Sequence, residues 1–130
     1  MPTWFSLLHA PAFRPGWRAL LGFLMVLVCV LAFVPQPPTL DVVDGDKLQH
    51  IVAFACLAGC AALSTGPGWR SAAGITLAML CFGIFIELVQ SRIPSRSAEW
   101  QDVVADTVGI LTGLLLMAAA RRWHRPATPR

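Results

Sequence analysis

The stretch that decides the fold reads SAAGITLAMLCFGIFIELV, at residues 71–89, and holds a single charged side chain, Glu87, near its end. Three further apolar stretches lie at residues 19–34, 48–63 and 103–120. Because a helix rises about 1.5 Å per residue, these stretches of 16 to 19 residues cover about 24–29 Å, close to a hydrocarbon core of about 30 Å. The four stretches therefore predict four membrane-spanning helices.

The composition of the 130-residue chain fits a membrane protein. Hydrophobic residues make up 56% and charged residues 13%, and the mean hydropathy is +0.65. A soluble domain carries about 25% charged residues, so this chain lacks the polar surface that a soluble fold needs. The net charge of +3 is small and lies mostly in loops and ends, which argues against a nucleic-acid partner. We expect an all-α fold, an integral membrane four-helix bundle.

Positive charges near the helix ends predict the orientation of the bundle. One side of the membrane receives seven arginines, which are Arg14, Arg18, Arg70, Arg121, Arg122, Arg125 and Arg130. The connections at residues 35–47 and 90–102 lie on the other side and hold five of the seven acidic residues. Both termini are therefore expected in the cytoplasm, and these two connections are expected to face outward.

The predicted spans divide the chain into three parts. These are a cytoplasmic or interfacial N-terminal segment at 1–18, a transmembrane domain at 19–120 and a basic cytoplasmic tail at 121–130. The first span also has features of a signal peptide, since two arginines precede its apolar run. The sequence Phe-Val-Pro-Gln that follows, at 33–36, lacks the small-x-small pattern of a cleavage site. We therefore interpret the first span as a retained helix.

Polar side chains gather at the predicted outer ends of three helices. They are Asp46, Lys47 and His50 at the start of the second helix, Glu87 and Gln90 at the end of the third, Arg92 and Arg96 in the next connection, and Asp102 and Asp106 at the start of the fourth. A carboxylate turned toward lipid at mid-bilayer costs about 2.5–3.5 kcal/mol, so these groups should turn toward one another. The sequence therefore predicts a polar cluster that three distant segments form at the outer membrane face.

Small residues continue the acidic face of the fourth helix. Gly109 and Gly113 come seven and eleven residues after Asp102 and form a stripe that lets another helix approach closely. The acidic pair is therefore expected on the packed face of its helix. The same stripe is a candidate contact for a homo-oligomer.

Two simpler or different interpretations of the cluster stay open. The first is an ion-pair network that only joins the helix ends. The second is a divalent metal site, because imidazole and carboxylate groups suit such ions, and the chain supplies them as His50, Glu87, Asp102 and Asp106. Since a metal-binding spacing such as His-x-x-x-His is missing from the sequence, we predict neither a metal nor another cofactor.

The cluster residues resemble the VanZ-like family of small bacterial membrane proteins. One matching block is Asp-Lys-x-x-His with a following aromatic residue, here residues 46–50 and Phe54. The other is Glu-x-x-Gln, an Arg turn and Asp-Val before a Gly-rich helix, here within residues 87–113. The resemblance covers about residues 41–117. The family usually has Asn where this chain has Asp106, a difference that adds a potential negative charge.

The resemblance implies a multi-pass protein of the bacterial cytoplasmic membrane. The family takes its name from a protein linked to teicoplanin resistance, which implies a role at the cell envelope. An effect on susceptibility to glycopeptide antibiotics is therefore expected. No settled biochemical activity comes with the family name.

The first functional hypothesis is a binding protein with an outward-facing polar pocket between the second, third and fourth helices. Its ligand is the anionic headgroup of a membrane lipid or of a lipid-linked cell-wall precursor. Arginine suits bidentate phosphate contacts and lysine suits point-charge contacts. The headgroup-binding residues are then Lys47, Gln90, Arg92 and Arg96, and the carboxylates that orient them are Asp46, Asp102 and Asp106.

Two alternatives come from other classes of protein. A membrane enzyme that modifies a lipid headgroup would use His50 and Glu87 as general acid and base. A non-catalytic helix-packing protein would instead assist a larger assembly through the Gly109 and Gly113 stripe.

Overall fold

The protein is a bundle of four long helices. The structure, a computed structural model, describes residues 10–35, 45–94 and 96–124. Within these ranges it contains a 3₁₀ turn and four α-helices, which are Pro11–Phe13, α1 (Arg14–Phe33), α2 (Gly45–Thr65), α3 (Trp69–Gln90) and α4 (Trp100–Trp123). Each α-helix is long and apolar enough to cross a membrane. The predicted all-α four-helix membrane fold is confirmed, while parts of the predicted N-terminal segment and basic tail lie outside the described residues.

Each helix begins before the apolar stretch from which it was predicted. Pro15 lies in the first turn of α1, where the N–H that proline lacks has no helical partner. Asp46 and Asp102 lie in the first turns of α2 and α4, where a carboxylate interacts favourably with the helix dipole. Polar residues therefore lengthen the helices, and both aspartates lie on regular helical turns.

The helix α2 supplies much of the buried apolar core. Its buried core residues are Phe54, Leu57, Ala58, Ala61 and Ala62. The helices α3 and α4 add Ile75, Met79, Ile86 and Ile110. The helix α2 therefore packs against both α3 and α4, and near its start His50 lies close to Glu87 of α3 and Asp106 of α4.

The helix α4 packs closely on α2 along the predicted stripe of small residues. A Cβ added at Gly109 would meet the backbone carbonyl of Ile51, and one added at Gly113 would meet that of Ala55. The two aspartates near the start of α4 are buried as well. The prediction that the acidic pair lies on the packed face of α4 is therefore confirmed. In the described chain this stripe contacts α2 of the same molecule, and its use between copies stays a prediction.

The helix α1 lies on the outside of the bundle. None of its residues is buried. Leu21, Leu24 and Val28 are partly buried against the core, whereas Phe23 and Val26 are both 63% exposed. In a membrane these exposed side chains contact lipid. The helix α1 is therefore not part of the core, and together with α2 it lines a surface groove.

The end of the bundle far from the polar cluster is closed by a tight turn between α2 and α3. Gly66 and Gly68 have φ values of 104° and 137°, a backbone conformation that favours glycine. Arg121 of α4 donates a hydrogen bond of 2.8 Å to the carbonyl of Ala62 in α2. Since the Ala62 carbonyl also accepts a hydrogen bond of 3.2 Å from the backbone N–H of Gly66, the arginine is a second donor to the last turn of a neighbouring helix.

Candidate functional site

A histidine and an aspartate form the contact that joins α2 to α4 at the polar end. Nδ1 of His50 is hydrogen-bonded to Oδ1 of Asp106 at 2.8 Å. The Asp106 side chain is 1% exposed and the His50 side chain 18% exposed. The predicted meeting of these segments, 56 residues apart, is present in the structure.

The Glu87 side chain connects the end of α3 to the start of α4. Its Oε2 accepts a hydrogen bond of 3.0 Å from the backbone N–H of Glu99. The residue is 7% exposed, and its Oε1 has no hydrogen-bond partner among the described residues. One oxygen of this carboxylate is therefore fixed by the backbone, and the other is buried without a hydrogen-bond partner among the described residues.

Two aspartates complete a buried group that we call the His50 cluster, which consists of His50, Glu87, Asp102 and Asp106. Asp102 is 6% exposed. Asp102 Oδ1 and Asp106 Oδ2 are buried without a hydrogen-bond partner among the described residues. One ring nitrogen of His50, one oxygen of Glu87 and one oxygen of Asp102 lie within 4.8 Å of one another. Three buried carboxylates and one largely buried imidazole therefore lie close together in one cluster.

A second, more exposed group of charges borders this cluster. The Lys47 ammonium lies 3.3 Å from Asp46 Oδ2 and 3.4 Å from Glu99 Oε2. Oxygens of Asp46, Glu99 and Asp102 also lie within 4.8 Å of one another. This border has the character of the predicted ion-pair network, because a lysine supplies its positive charge.

The arginine and the glutamine predicted to bind a headgroup contact α1. Arg96 Nη2 donates hydrogen bonds to the carbonyls of Leu31 and Ala32, at 3.1 and 2.7 Å. Gln90 Nε2 donates to the Ala32 carbonyl at 3.1 Å. Because the last carbonyls of a helix have no partner within it, these two side chains hold the end of α1 against the bundle. Arg92 is exposed in the turn after α3.

A groove of about 490 Å³ runs between α1 and α2 and reaches the polar end. Its apolar walls include Leu24, Leu27, Val28, Leu31, Val52, Ala53 and Cys56. Its polar lining residues are Asp46, Gln49, His50, Gln90 and Arg96. The sequence predicted a pocket between the second, third and fourth helices, whereas this groove lies on the α1 side. His50 belongs both to the groove and to the buried cluster.

Glu99 is a charged site residue that the sequence analysis did not single out. Its backbone N–H binds Glu87 and its side chain binds Lys47, so it joins the buried cluster to the bordering ion pairs. A signal was present, because Glu99 directly precedes Trp100, where α4 begins. The N–H groups at a helix start lack helical partners and attract carboxylates.

Four spanning helices with a buried polar cluster at one end define a small multi-pass membrane protein. The family model described as VanZ-LLP1: VanZ/LLP1 matches residues 10–121, and the chain belongs to the VanZ-like family. No curated protein and no solved structure matches the chain.

Proposed function

We propose that the protein binds a phosphate-bearing membrane lipid in the groove between α1 and α2. The observation that carries the proposal is the shape and polarity of the groove, which is apolar along its walls and polar at one end. Its volume of about 490 Å³ falls within the range of about 300–1,000 Å³ that is usual for small-molecule sites. A lipid has the same distribution of apolar and polar parts.

The apolar walls suit a hydrocarbon chain. Leu27 and Leu31 of α1 and Val52 of α2 line the groove and are exposed. Hydrocarbon placed there covers apolar surface without burying any charge. The chain of the lipid therefore lies along α1 and α2, and its headgroup lies at the polar end.

The polar end carries donors that suit a phosphate. Arg96 uses Nη2 to hold α1, and its guanidinium has further N–H groups. Gln90 and His50 line the same end, and Lys47 neighbours it in the first turn of α2. Charge-assisted hydrogen bonds from such groups to phosphate are about twice as strong as neutral ones. In this proposal Asp46 orients Lys47, and Asp106 orients His50.

The orientation of the bundle gives the ligand its biological setting. The arginine distribution favours cytoplasmic termini, so the polar end opens to the outer face. An outward site suits the phosphate of a membrane phospholipid or the pyrophosphate of a lipid-linked cell-wall precursor. In this proposal, the protein changes susceptibility to glycopeptide antibiotics by binding such cell-wall precursors in the groove.

Native mass spectrometry of the purified chain tests the binding proposal and separates the two lipid sources. Phosphatidylglycerol and a polyprenyl pyrophosphate are compared with diacylglycerol, which lacks phosphate. We expect the phosphate-bearing lipids to bind at least tenfold more tightly than diacylglycerol. Whichever of phosphatidylglycerol and the polyprenyl pyrophosphate binds more tightly identifies the ligand as a membrane phospholipid or a cell-wall precursor. Equal retention of all three lipids contradicts the proposal.

Two matched substitutions place the binding in the groove. Val52→Trp fills the groove, whereas Val108→Trp adds the same bulk to an exposed position of α4 outside it. Binding should fall about tenfold or more in Val52→Trp and stay unchanged in Val108→Trp. Equal binding by both variants excludes the groove as the lipid site.

A second candidate function, chemistry on the headgroup, is favoured by the hydrogen bond between His50 and Asp106. A carboxylate that binds one ring nitrogen of a histidine fixes the ring for proton transfer at the other nitrogen. His50 also lines the groove, where a headgroup would lie. Lipid profiling of cells with and without the gene distinguishes the two functions, because an enzyme produces a new headgroup species and a binding protein does not.

A further inference from the structure

The His50 cluster brings three buried carboxylates together with a single imidazole. Glu87, Asp102 and Asp106 are 7%, 6% and 1% exposed, and each has one buried oxygen without a hydrogen-bond partner among the described residues. The ring of His50 is the basic group bonded to Asp106. Buried ionised carboxylates in a membrane segment are costly unless a cation or a proton accompanies them.

The bordering group shows how a similar arrangement is balanced nearby. Asp46, Glu99 and Asp102 bring three oxygens within 4.8 Å of one another. There the Lys47 ammonium lies against Asp46 and Glu99, so a side chain provides the cation. The triad of His50, Glu87 and Asp102 has the same compactness, but its basic member is an imidazole, which binds metals as well as protons.

We propose that His50, Glu87 and Asp102 bind a divalent transition-metal ion. Their ligand atoms lie within 4.8 Å of one another. Atoms that share one ion at about 2.0–2.2 Å are at most about 4.4 Å apart when they lie on opposite sides of it, and about 3.3–3.6 Å apart in tetrahedral geometry, so side-chain rotations bring the three groups to bonding distance. Glu87 Oε1 and Asp102 Oδ1, the oxygens without a partner, serve as the carboxylate ligands.

Asp106 is the positioning residue of this site. Its Oδ1 is hydrogen-bonded to His50 Nδ1, which leaves Nε2 for the ion. Metal-binding histidines almost always donate their other ring N–H to a carboxylate, a carbonyl or water. The Glu99 N–H that binds Glu87 Oε2 fixes the second ligand in a similar way. Two of the three proposed ligands are therefore already oriented by neighbouring groups.

The ligand types favour Zn²⁺ or Mn²⁺. Imidazole suits zinc and the later transition metals, and carboxylates suit manganese and magnesium. One nitrogen and two oxygens make a mixed set that both Zn²⁺ and Mn²⁺ accept. The cysteines of the described chain lie outside the triad, so thiolate-selective ions are not expected.

Titration of the full-length protein with Mn²⁺ tests the proposal. The chain is purified in detergent without added phospholipid and treated with a chelator, so the result does not depend on lipid binding. Electron paramagnetic resonance then measures the loss of the free Mn²⁺ signal. We expect one saturable Mn²⁺ site per chain, and addition of Zn²⁺ should displace the bound Mn²⁺. A folded wild-type protein without saturable binding overturns the proposal.

Isosteric substitutions locate the ion. Glu87→Gln and Asp102→Asn should each weaken Mn²⁺ binding at least tenfold. Asp46→Asn is the matched control, because Asp46 belongs to the bordering group but not to the proposed triad. An equal loss of affinity in Asp46→Asn and Asp102→Asn overturns the assignment, as does unchanged affinity in Glu87→Gln.

A measurement on folded protein with all three ligands in place covers the case in which those variants fail to fold. The double variant His9→Gln/His124→Gln retains His50 as its one histidine. After labelling with ¹⁵N-histidine, pulsed paramagnetic resonance of bound Mn²⁺ should show coupling to a directly bonded nitrogen. A bound ion without that coupling overturns the role of His50.

Discussion

His50 is the residue that belongs to both the groove and the buried cluster. It lines the groove on one side and is hydrogen-bonded to Asp106 on the other. A ligand in the groove therefore contacts a ring whose orientation is set by a carboxylate that is 1% exposed. Substitutions at Asp106 should change the behaviour of His50 without touching the ligand itself.

Asp106→Asn and Asp106→Leu separate the hydrogen bond from the volume of the side chain. Asn keeps an oxygen that accepts a hydrogen bond from His50 Nδ1–H, so its free energy of unfolding should stay within about 1 kcal/mol of the wild type. Leu removes that acceptor and leaves the ring nitrogen unpaired, which should cost about 1–3 kcal/mol. Unfolding in mixed detergent micelles measures both values. Equal stability of the two variants contradicts a structural role for this hydrogen bond.

Arg96 should stabilise the end of α1. Its guanidinium binds the carbonyls of Leu31 and Ala32, so Arg96→Met should lower the free energy of unfolding by about 1–3 kcal/mol. Hydrogen exchange at residues 29–33 should rise in the same variant. Arg92→Met is the control, because Arg92 is exposed in the neighbouring turn, and it should change stability by less than about 0.5 kcal/mol. Equal effects of the two substitutions contradict this role.

For single residues, the sequence predicted which side chains lie close together better than it predicted which atoms they bind. The cost of charge in lipid was enough to predict that His50, Glu87 and Asp106 lie together, and the structure places them so. It was not enough to predict that Arg96 binds carbonyls of α1. A long, flexible side chain reaches several groups, and the spacing of residues along the chain does not select among them.

The close contact between α2 and α4 depends on two glycines of α4, which have no side chain. Gly109 and Gly113 lie against the backbone carbonyls of Ile51 and Ala55. A backbone carbonyl in a regular helix cannot move aside as the end of a flexible side chain can. The distance between the two helices, and with it the contact between His50 and Asp106, is therefore set by these glycines.

Gly109→Ala and Gly113→Ala should each lower the free energy of unfolding by about 1–3 kcal/mol, because the added methyl group forces α4 away from α2. Gly59→Ala is the matched control, since a Cβ at that position of α2 meets nothing within 4 Å. Its stability should be unchanged or slightly higher, given the better helix propensity of Ala. The same unfolding assay compares the three variants. A Gly109→Ala protein as stable as the Gly59→Ala protein contradicts the tight contact.

The sequence predicted that this face of α4 packs closely on another helix, but it predicted neither that the partner is α2 nor the place of α1. The stripe of small residues in α4 marks a face by its residue type. In α1 the apolar residues surround the helix, and none is buried in the folded chain. A helix that faces lipid on most sides carries no pattern that identifies its packed face. The groove between α1 and α2 therefore could not be predicted.

At the scale of the whole molecule, the bundle has a polar end and a turn end. The described parts of the connection after α3, at residues 91–94 and 96–99, lie at the polar end, and the turn at residues 66–68 lies at the other. The arginine distribution predicts that the turn end faces the cytoplasm. This orientation decides whether the groove receives lipids from the outer leaflet or from the inner one.

Cysteine labelling measures the orientation. In a chain without Cys29, Cys56, Cys60 and Cys81, the exposed residues Ala98 and Pro67 are replaced one at a time by cysteine. A membrane-impermeant maleimide should label Ala98→Cys in intact cells and Pro67→Cys only after permeabilisation. The reverse pattern contradicts an outward polar end.

The central claim is that distant segments join His50 and Asp106 in one buried cluster, and solid-state NMR of the protein in bilayers tests it most directly. With ¹⁵N-histidine and ¹³C-aspartate labelling, the 2.8 Å contact between His50 Nδ1 and Asp106 Oδ1 predicts a strong cross-peak between the imidazole nitrogen and the Asp106 carboxyl carbon. The cross-peak should disappear in His50→Gln. If both resonances are assigned in the folded wild type and no cross-peak joins them, the cluster does not exist as described.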